Sequence, residues 1–232
     1  GDMPVFGVLL LCILICAIFG LINGIVIAYL NVPAFIGTLG MQMIVYGINL
    51  VYTKSVPLGG YRQDYTIIAN GNFFGIPYLF IIAFVIGAIM WFVFNYTRHG
   101  KYMYAIGGNE QSALMMGLNV RRVKLKAYIL DGFLCGVGSI LFCLNTLGGF
   151  VEQAKGFEMD AIASSVIGGT LLTGGVGNVF GTLFGVLIKA TIEAFITFQG
   201  TLSSWWTRIT IAALLCFFIV LQSILAMVKK KK

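Results

Sequence analysis

Seven apolar runs, each bounded by polar or turn-forming residues, divide this chain from end to end. The first extends from Val5 to Leu30 and the second from Ala34 to Tyr52, with a break at Asn31-Val32-Pro33 where proline disfavours helix at the residue before it. The others cover Ile76 to Asn95, Ala127 to Leu147, Met159 to Leu172, Val179 to Phe198 and Trp205 to Val228. A helix that crosses the hydrocarbon core of a bilayer needs about 20 apolar residues, and all but the fifth run are about that long. The pattern predicts an all-α, polytopic membrane protein: about six full transmembrane helices and one short buried helix, in one transmembrane domain over residues 1–232. Composition agrees. The chain is 59% apolar and 10% charged, where a soluble domain is roughly half apolar and a quarter charged. A water-soluble globule is excluded, and so is disorder, which needs low hydrophobicity.

The fifth run has a different character. A helix of its length covers only ~21 Å against the ~30 Å hydrocarbon core. It is rich in Ala161, Ala163, Ser164, Ser165, Gly168 and Gly169. Such a segment is expected inside a bundle or along a cavity rather than against lipid.

Lysine and arginine placement sets the direction of the spans. Arg98, Lys101, Arg121, Arg122, Lys124, Lys126 and Lys229 to Lys232 are ten of the fifteen basic residues. Segment 96–126 and the C-terminus are therefore expected in the cytoplasm. Loops 53–75 and 148–157, and Gly1, are expected outside. Asp2 and Pro4 do not make the basic leader of a signal peptide. An outward start without a leader implies missing upstream helices, and hence a fragment of a larger membrane protein.

Several kinds of chemistry are excluded or left without support. Cys12, Cys16, Cys135, Cys143 and Cys216 are odd in number, form no CxxC and lie in apolar runs, so they read as packing residues. The glycine-rich stretch Gly168 to Asn178 lacks the Gly-Lys-Ser/Thr of a phosphate-binding loop, and Gly100-Lys101 is followed by Tyr102. Gly177, Gly181 and Gly185, like Gly20 with Gly24 and Gly132 with Gly136, recur every four residues, the spacing of close helix contacts in membranes. His99 lies alone in a basic stretch and reads as solvated. Asp131, Lys189 and Glu193 fall inside apolar runs. Lys189 and Glu193 share a helix face and can neutralise each other. Asp131 lies close to basic sequence and an interface. Local pairing and a proton relay remain the two readings of these three residues.

One polar segment has the marks of a built element. Within residues 105–122, Asn109 is a good N-cap, Glu110 suits the positive end of a helix, and Gly117 suits a C-cap. The two-turn helix between them is marginal alone and needs a partner surface. Leu114, Met115 and Met116 supply apolar contact. The competing reading is an ordinary connecting loop with a surface helix.

Tyr104 to Asn109 followed by Gly117 resembles the cytoplasmic coupling segment of sugar-importing ABC transporter permeases. Phe157 to Ala163 and Val166 to Thr170 resemble a second signature of that family, and Val32 to Gly40 a third. The likeness covers essentially the whole chain and is greatest to the ribose, galactose and galactofuranose permeases. Phe198 to Thr207 looks most like a galactofuranose permease subunit. The resemblance implies a permease subunit in the cell inner membrane that is not itself an enzyme and holds no cofactor or metal. It also implies a second permease subunit, like or unlike, cytoplasmic ATP-binding subunits and an extracytoplasmic sugar-binding protein. Lipid surrounds it, and no nucleic acid is involved. Gly108, Asn109, Glu110, Ser112, Leu114, Met115 and Gly117 would couple the ATPase. Asp160, Ala163, Ser164, Gly168 and Gly169 would line the pathway. The family's Asp-Leu-Ser signature and about a hundred preceding residues have no counterpart here. At Asp131, Lys189 and Glu193 the resemblance implies neutral residues, so no role carries over to them. The alternatives are a nucleoside or branched-chain amino acid permease and a truncated, non-transporting membrane scaffold. A membrane-embedded enzyme would need a catalytic constellation, and no serine, cysteine or carboxylate has a base partner at motif spacing.

Overall fold

Long apolar stretches free of internal proline form helices because, without water, backbone N–H and C=O groups must pair within the segment. The computed structural model describes residues 5–54, 56, 59, 70–73, 75–199 and 204–230. The helices are α1 (Val5–Tyr29), α2 (Ala34–Thr53), α3 (Tyr78–Tyr96), α4 (Arg98–Gly108), α5 (Glu110–Met115), α6 (Val120–Thr146), α7 (Phe157–Ile167), α8 (Val179–Gln199) and α9 (Ser204–Lys230). A small antiparallel hairpin precedes α3, pairing Asn72 with Pro77 and Phe73 with Ile76. Among the described residues, five of the helices are long and apolar enough to cross a membrane, and α9 contains a sixth apolar stretch, Ile209–Gln222. Together with the short α7 these match the expected spans. Most of loop 53–75 and residues 200–203 of the Phe198 to Thr207 stretch lie outside the described residues.

Two boundaries differ from the sequence reading. Helix α6 begins at Val120 rather than Ala127, because the Asn119 side chain caps it by accepting from the Arg122 N–H. Arg121, Arg122, Lys124 and Lys126 are therefore helical. Helix α4 was not anticipated. Its cap is Thr97, whose hydroxyl oxygen accepts from the Gly100 N–H, and a Cβ on Gly100 would overlap the Phe94 backbone.

The chain divides into two compact units, each assembled from separate stretches: residues 1–89 with 112–154, and residues 90–111 with 155–232. In the first, α1 and α6 meet through glycines. A Cβ on Gly20 would lie 3.0 Å from Gly132 Cα, and one on Gly136 would lie 2.9 Å from Ile13 Cα. Small residues here let two backbones approach at the distance membrane helices favour. Helix α2 lies against α1, with Gly37 facing Ile27. Asp131, on α6, is exposed, and among the described residues no ion pair reaches it.

Candidate functional site

The second unit contains α7, α8 and α9, and its centre is the pair α7–α8. These helices run antiparallel and touch at three levels, one helical turn apart. At the first level Gly168 faces Gly181: a Cβ on either glycine would overlap the other's backbone carbonyl. At the second, a Cβ on Gly185 would overlap the Ser164 carbonyl oxygen. At the third, Lys189 Nζ lies 3.2 Å from Asp160 Oδ2 and 3.1 Å from Glu193 Oε1. The glycines draw the backbones together, and the third level holds the charges.

The depth of this ion triad matters. Lys189 is the middle residue of α8, and Asp160 is in the first turn of α7. Helix α7, at ~1.5 Å per residue, is too short to span a bilayer, and the Asp160–Lys189 contact sets its N-terminal end opposite the midpoint of the long α8. Charged groups at such depth face a protein interior or water rather than lipid. The Lys189 side chain is only 16% exposed. Asp160 also benefits from the positive N-terminal end of α7, which it shares with Glu158.

A cavity of about 380 Å³ opens beside the triad, bounded by α7 and α8. Asp160, Ser164, Ser165, Thr182, Lys189 and Glu193 supply its polar wall. The hydroxyls of Ser164, Ser165 and Thr182 donate to the carbonyls of Asp160, Ala161 and Asn178. Their oxygen lone pairs are left as acceptors.

The five residues read as pathway-lining divide. Asp160 and Ser164 border the cavity. Ala163 is fully buried and does not line it. Gly168 packs on Gly181, and Gly169 ends α7 at a φ of 91°. Sequence reasoning gave no role to Lys189 or Glu193 and passed over Thr182 and Gln222. The Gln222 amide of α9 donates to the carbonyls of Val166 and Thr170 at 3.1 and 3.3 Å, pairing acceptors at the C-terminal end of α7. A lone glutamine in the last apolar run was the available signal.

The segment read as coupling begins at the end of α4. Gly108 ends α4 and Asn109 follows in extended conformation as its C-cap, its N–H donating to the Ala105 carbonyl. Glu110, Ser112, Leu114 and Met115 lie on α5. Gly117 ends that helix as expected. Its φ is 79°, its N–H donates to Leu114 and the Leu118 N–H reaches back to Ala113, the Schellman pattern. Ala113 is fully buried, while Leu114 and Met115 are 55% and 88% exposed.

The structure joins two glycine pairs that the sequence keeps far apart. Gly174 and Gly175, both at positive φ, rest on Gly107 and Gly108, where a Cβ on Gly175 would lie 2.7 Å from Gly108 Cα. Tyr104 donates to the Gly177 carbonyl at 3.0 Å, which holds the same turn to α4. The loop between α7 and α8 therefore sits directly on the end of α4.

Comparison with known proteins identifies the class. Residues 1–219 match the family described as branched-chain amino acid transport system / permease component, and the chain belongs to that family. It is 42% identical to the inner membrane ABC transporter permease protein YjfF of Escherichia coli K12, over 96% of this chain and 68% of that protein. It is 37% identical to the galactose/methyl galactoside import permease protein MglC of the same strain, over 97% and 68%. With the ribose import permease protein RbsC of that strain it shares 31% identity, over 89% and 65%. No solved structure matches the chain. It is thus a multi-pass ABC-type permease component, a membrane part of a transporter rather than an enzyme.

Proposed function

We propose that this chain is the membrane-spanning subunit of an ATP-driven importer for a monosaccharide. The observation that carries this reading is the 37% identity, over 97% of the chain, to a permease named for galactose import. A mostly apolar cavity edged by the Asp160–Lys189–Glu193 charges, beside a short α7, is the structural feature that supports such a role. In this account residues 1–232 act as one permease domain in the inner membrane, with the C-terminus and segment 96–126 in the cytoplasm. A second permease subunit completes the pore, cytoplasmic ATP-binding subunits drive it, and an extracytoplasmic sugar-binding protein delivers the cargo.

Energy enters at α5. Leu114 and Met115 present apolar surface to a groove on the ATPase, and Gly117 turns the chain back toward α6. Gly107 and Gly108 are in backbone contact with the Gly174-Gly175 turn, so movement at the end of α4 is passed to the loop joining α7 and α8. Asp160, Ala163, Ser164, Gly168 and Gly169 shape the pathway, the two polar residues at its surface, Ala163 and Gly168 by packing, and Gly169 by ending α7. Galactofuranose is the favoured cargo, from the Phe198 to Thr207 stretch.

The family description favours a second reading, branched-chain amino acid import. The deciding experiment is retention of labelled ligands by the binding protein that stimulates this permease. The sugar reading expects D-galactose, D-galactofuranose or D-ribose to be held, and L-leucine and uridine to be released. Retention of leucine alone would replace it with the second reading.

A further inference from the structure

We propose that the space between α7 and α8 is a binding site for an uncharged, hydroxyl-rich ligand, a neutral monosaccharide, and that its charge balance turns away anionic sugars. The proposal rests on the permease reading for the identity of the cargo and on geometry for everything else.

The cavity's volume of about 380 Å³ falls among small-ligand sites, which span about 300–1,000 Å³. Its lining is mostly apolar, and the polar groups set at its edge are chiefly acceptors. Asp160 and Glu193 each give one carboxylate oxygen to Lys189, leaving the other for a ligand. Ser164, Ser165 and Thr182 have spent their protons on backbone carbonyls. Lys189 has three donors and uses two on the carboxylates, so one remains to meet a ligand oxygen. A ligand with many O–H donors and some acceptors satisfies this set, and hydrogen bonds to ionised groups are the stronger kind. Phe157 and Val186 add apolar surface for the C–H face of a sugar ring.

Two carboxylates against one ammonium leave the site with one net negative charge. A sugar acid or sugar phosphate would bring a second anion beside Asp160 and Glu193, and like charge at close range discriminates strongly. Neutral sugars meet no such barrier. These residues thus supply an electrostatic filter within the permease itself, separate from any selection made by a binding protein.

The test places a cysteine at Ser165 in the assembled transporter, with labelling of the unsubstituted chain as background. Thr182→Cys serves as a second reporter should Ser165→Cys fail to fold. Cationic trimethylammonium-ethyl methanethiosulfonate should react about tenfold or more faster than the anionic sulfonatoethyl reagent. Adding Glu193→Gln should shrink that preference severalfold. Millimolar D-galactose or D-ribose should slow labelling severalfold, while D-galacturonate should not. Equal reagent rates, or labelling unchanged by either neutral sugar, would overturn the proposal. Because protection is read on the chain itself, its absence in a transporter that still takes up sugar removes the site and keeps the transport reading. Protection without uptake does the reverse.

Discussion

Lys189 Nζ stands 3.2 Å from Asp160 Oδ2, joining the middle of α8 to the first turn of α7. The same ammonium also holds Glu193 one turn along α8. Removing it leaves two carboxylates facing each other at mid-span with no counter-charge, the arrangement that makes broken buried pairs so destabilising. Lys189→Met should lower the apparent Tm of the detergent-purified protein by several degrees. Adding Asp160→Asn should recover part of the loss, with a coupling of about 0.5–3 kcal/mol as expected for contacting residues. A double variant no more stable than Lys189→Met would show that the pair does not hold α7 in place.

Glycines inside helices should not behave alike. At Gly185 an added methyl would overlap the Ser164 carbonyl, whereas at Gly138 it meets nothing within 4 Å. Gly185→Ala should push α7 from α8 and destabilise the protein by about 1–3 kcal/mol. Gly138→Ala should be neutral or stabilising by up to about 1 kcal/mol, since alanine is the better helix former. Thermal denaturation of the two variants side by side checks this, and equal effects would contradict the close α7–α8 contact.

The apolar runs made the spans legible, because hydropathy over some twenty residues is decided locally. The Lys189–Glu193 pair was legible too, four residues apart on one face. Asp160 as its third member was not, since nothing in a linear pattern tells which helix α7 will meet. The four-residue glycine spacing announced close contacts at Gly20, Gly132, Gly181 and Gly185, but not that Gly20 faces Gly132 or Gly181 faces Gly168. Gly107-Gly108 and Gly174-Gly175 look in sequence like a helix flank and a separate glycine-rich loop, although they form one contact. Helix α4 escaped notice because His99, Gly100 and Lys101 look like loop sequence. Its cap at Thr97 and its packing on Phe94 compensate for a weak intrinsic tendency.

Leu114 and Met115 are exposed apolar side chains on a six-residue helix, the surface proposed to meet the ATPase. Leu114→Asp should weaken association with the ATPase by several kcal/mol by placing an unpaired charge in the contact. Co-purification of the ATPase should fall while the amount of permease in the membrane stays unchanged. Full retention of the ATPase, with normal sugar-stimulated hydrolysis, would remove α5 from the coupling role.

Orientation can be read by labelling. Gln111 and Ala154 are both exposed and are expected on opposite sides of the membrane. A cysteine at Ala154 should react with an impermeant thiol reagent in intact cells, and one at Gln111 only after the membrane is opened. The reverse pattern would invert every topological assignment made from the basic residues.

The most direct measurement is ATP-dependent accumulation of labelled D-galactose or D-ribose in proteoliposomes. The chain is reconstituted with its ATP-binding subunits, the ATP is placed on the side of Gln111, and the loaded sugar-binding protein is on the other. Uptake should require ATP hydrolysis and the binding protein, and should fall at least tenfold or so when Gly175→Val wedges the Gly107-Gly108 contact. Accumulation of neither sugar by a complex that hydrolyses ATP and accumulates L-leucine would contradict the sugar reading.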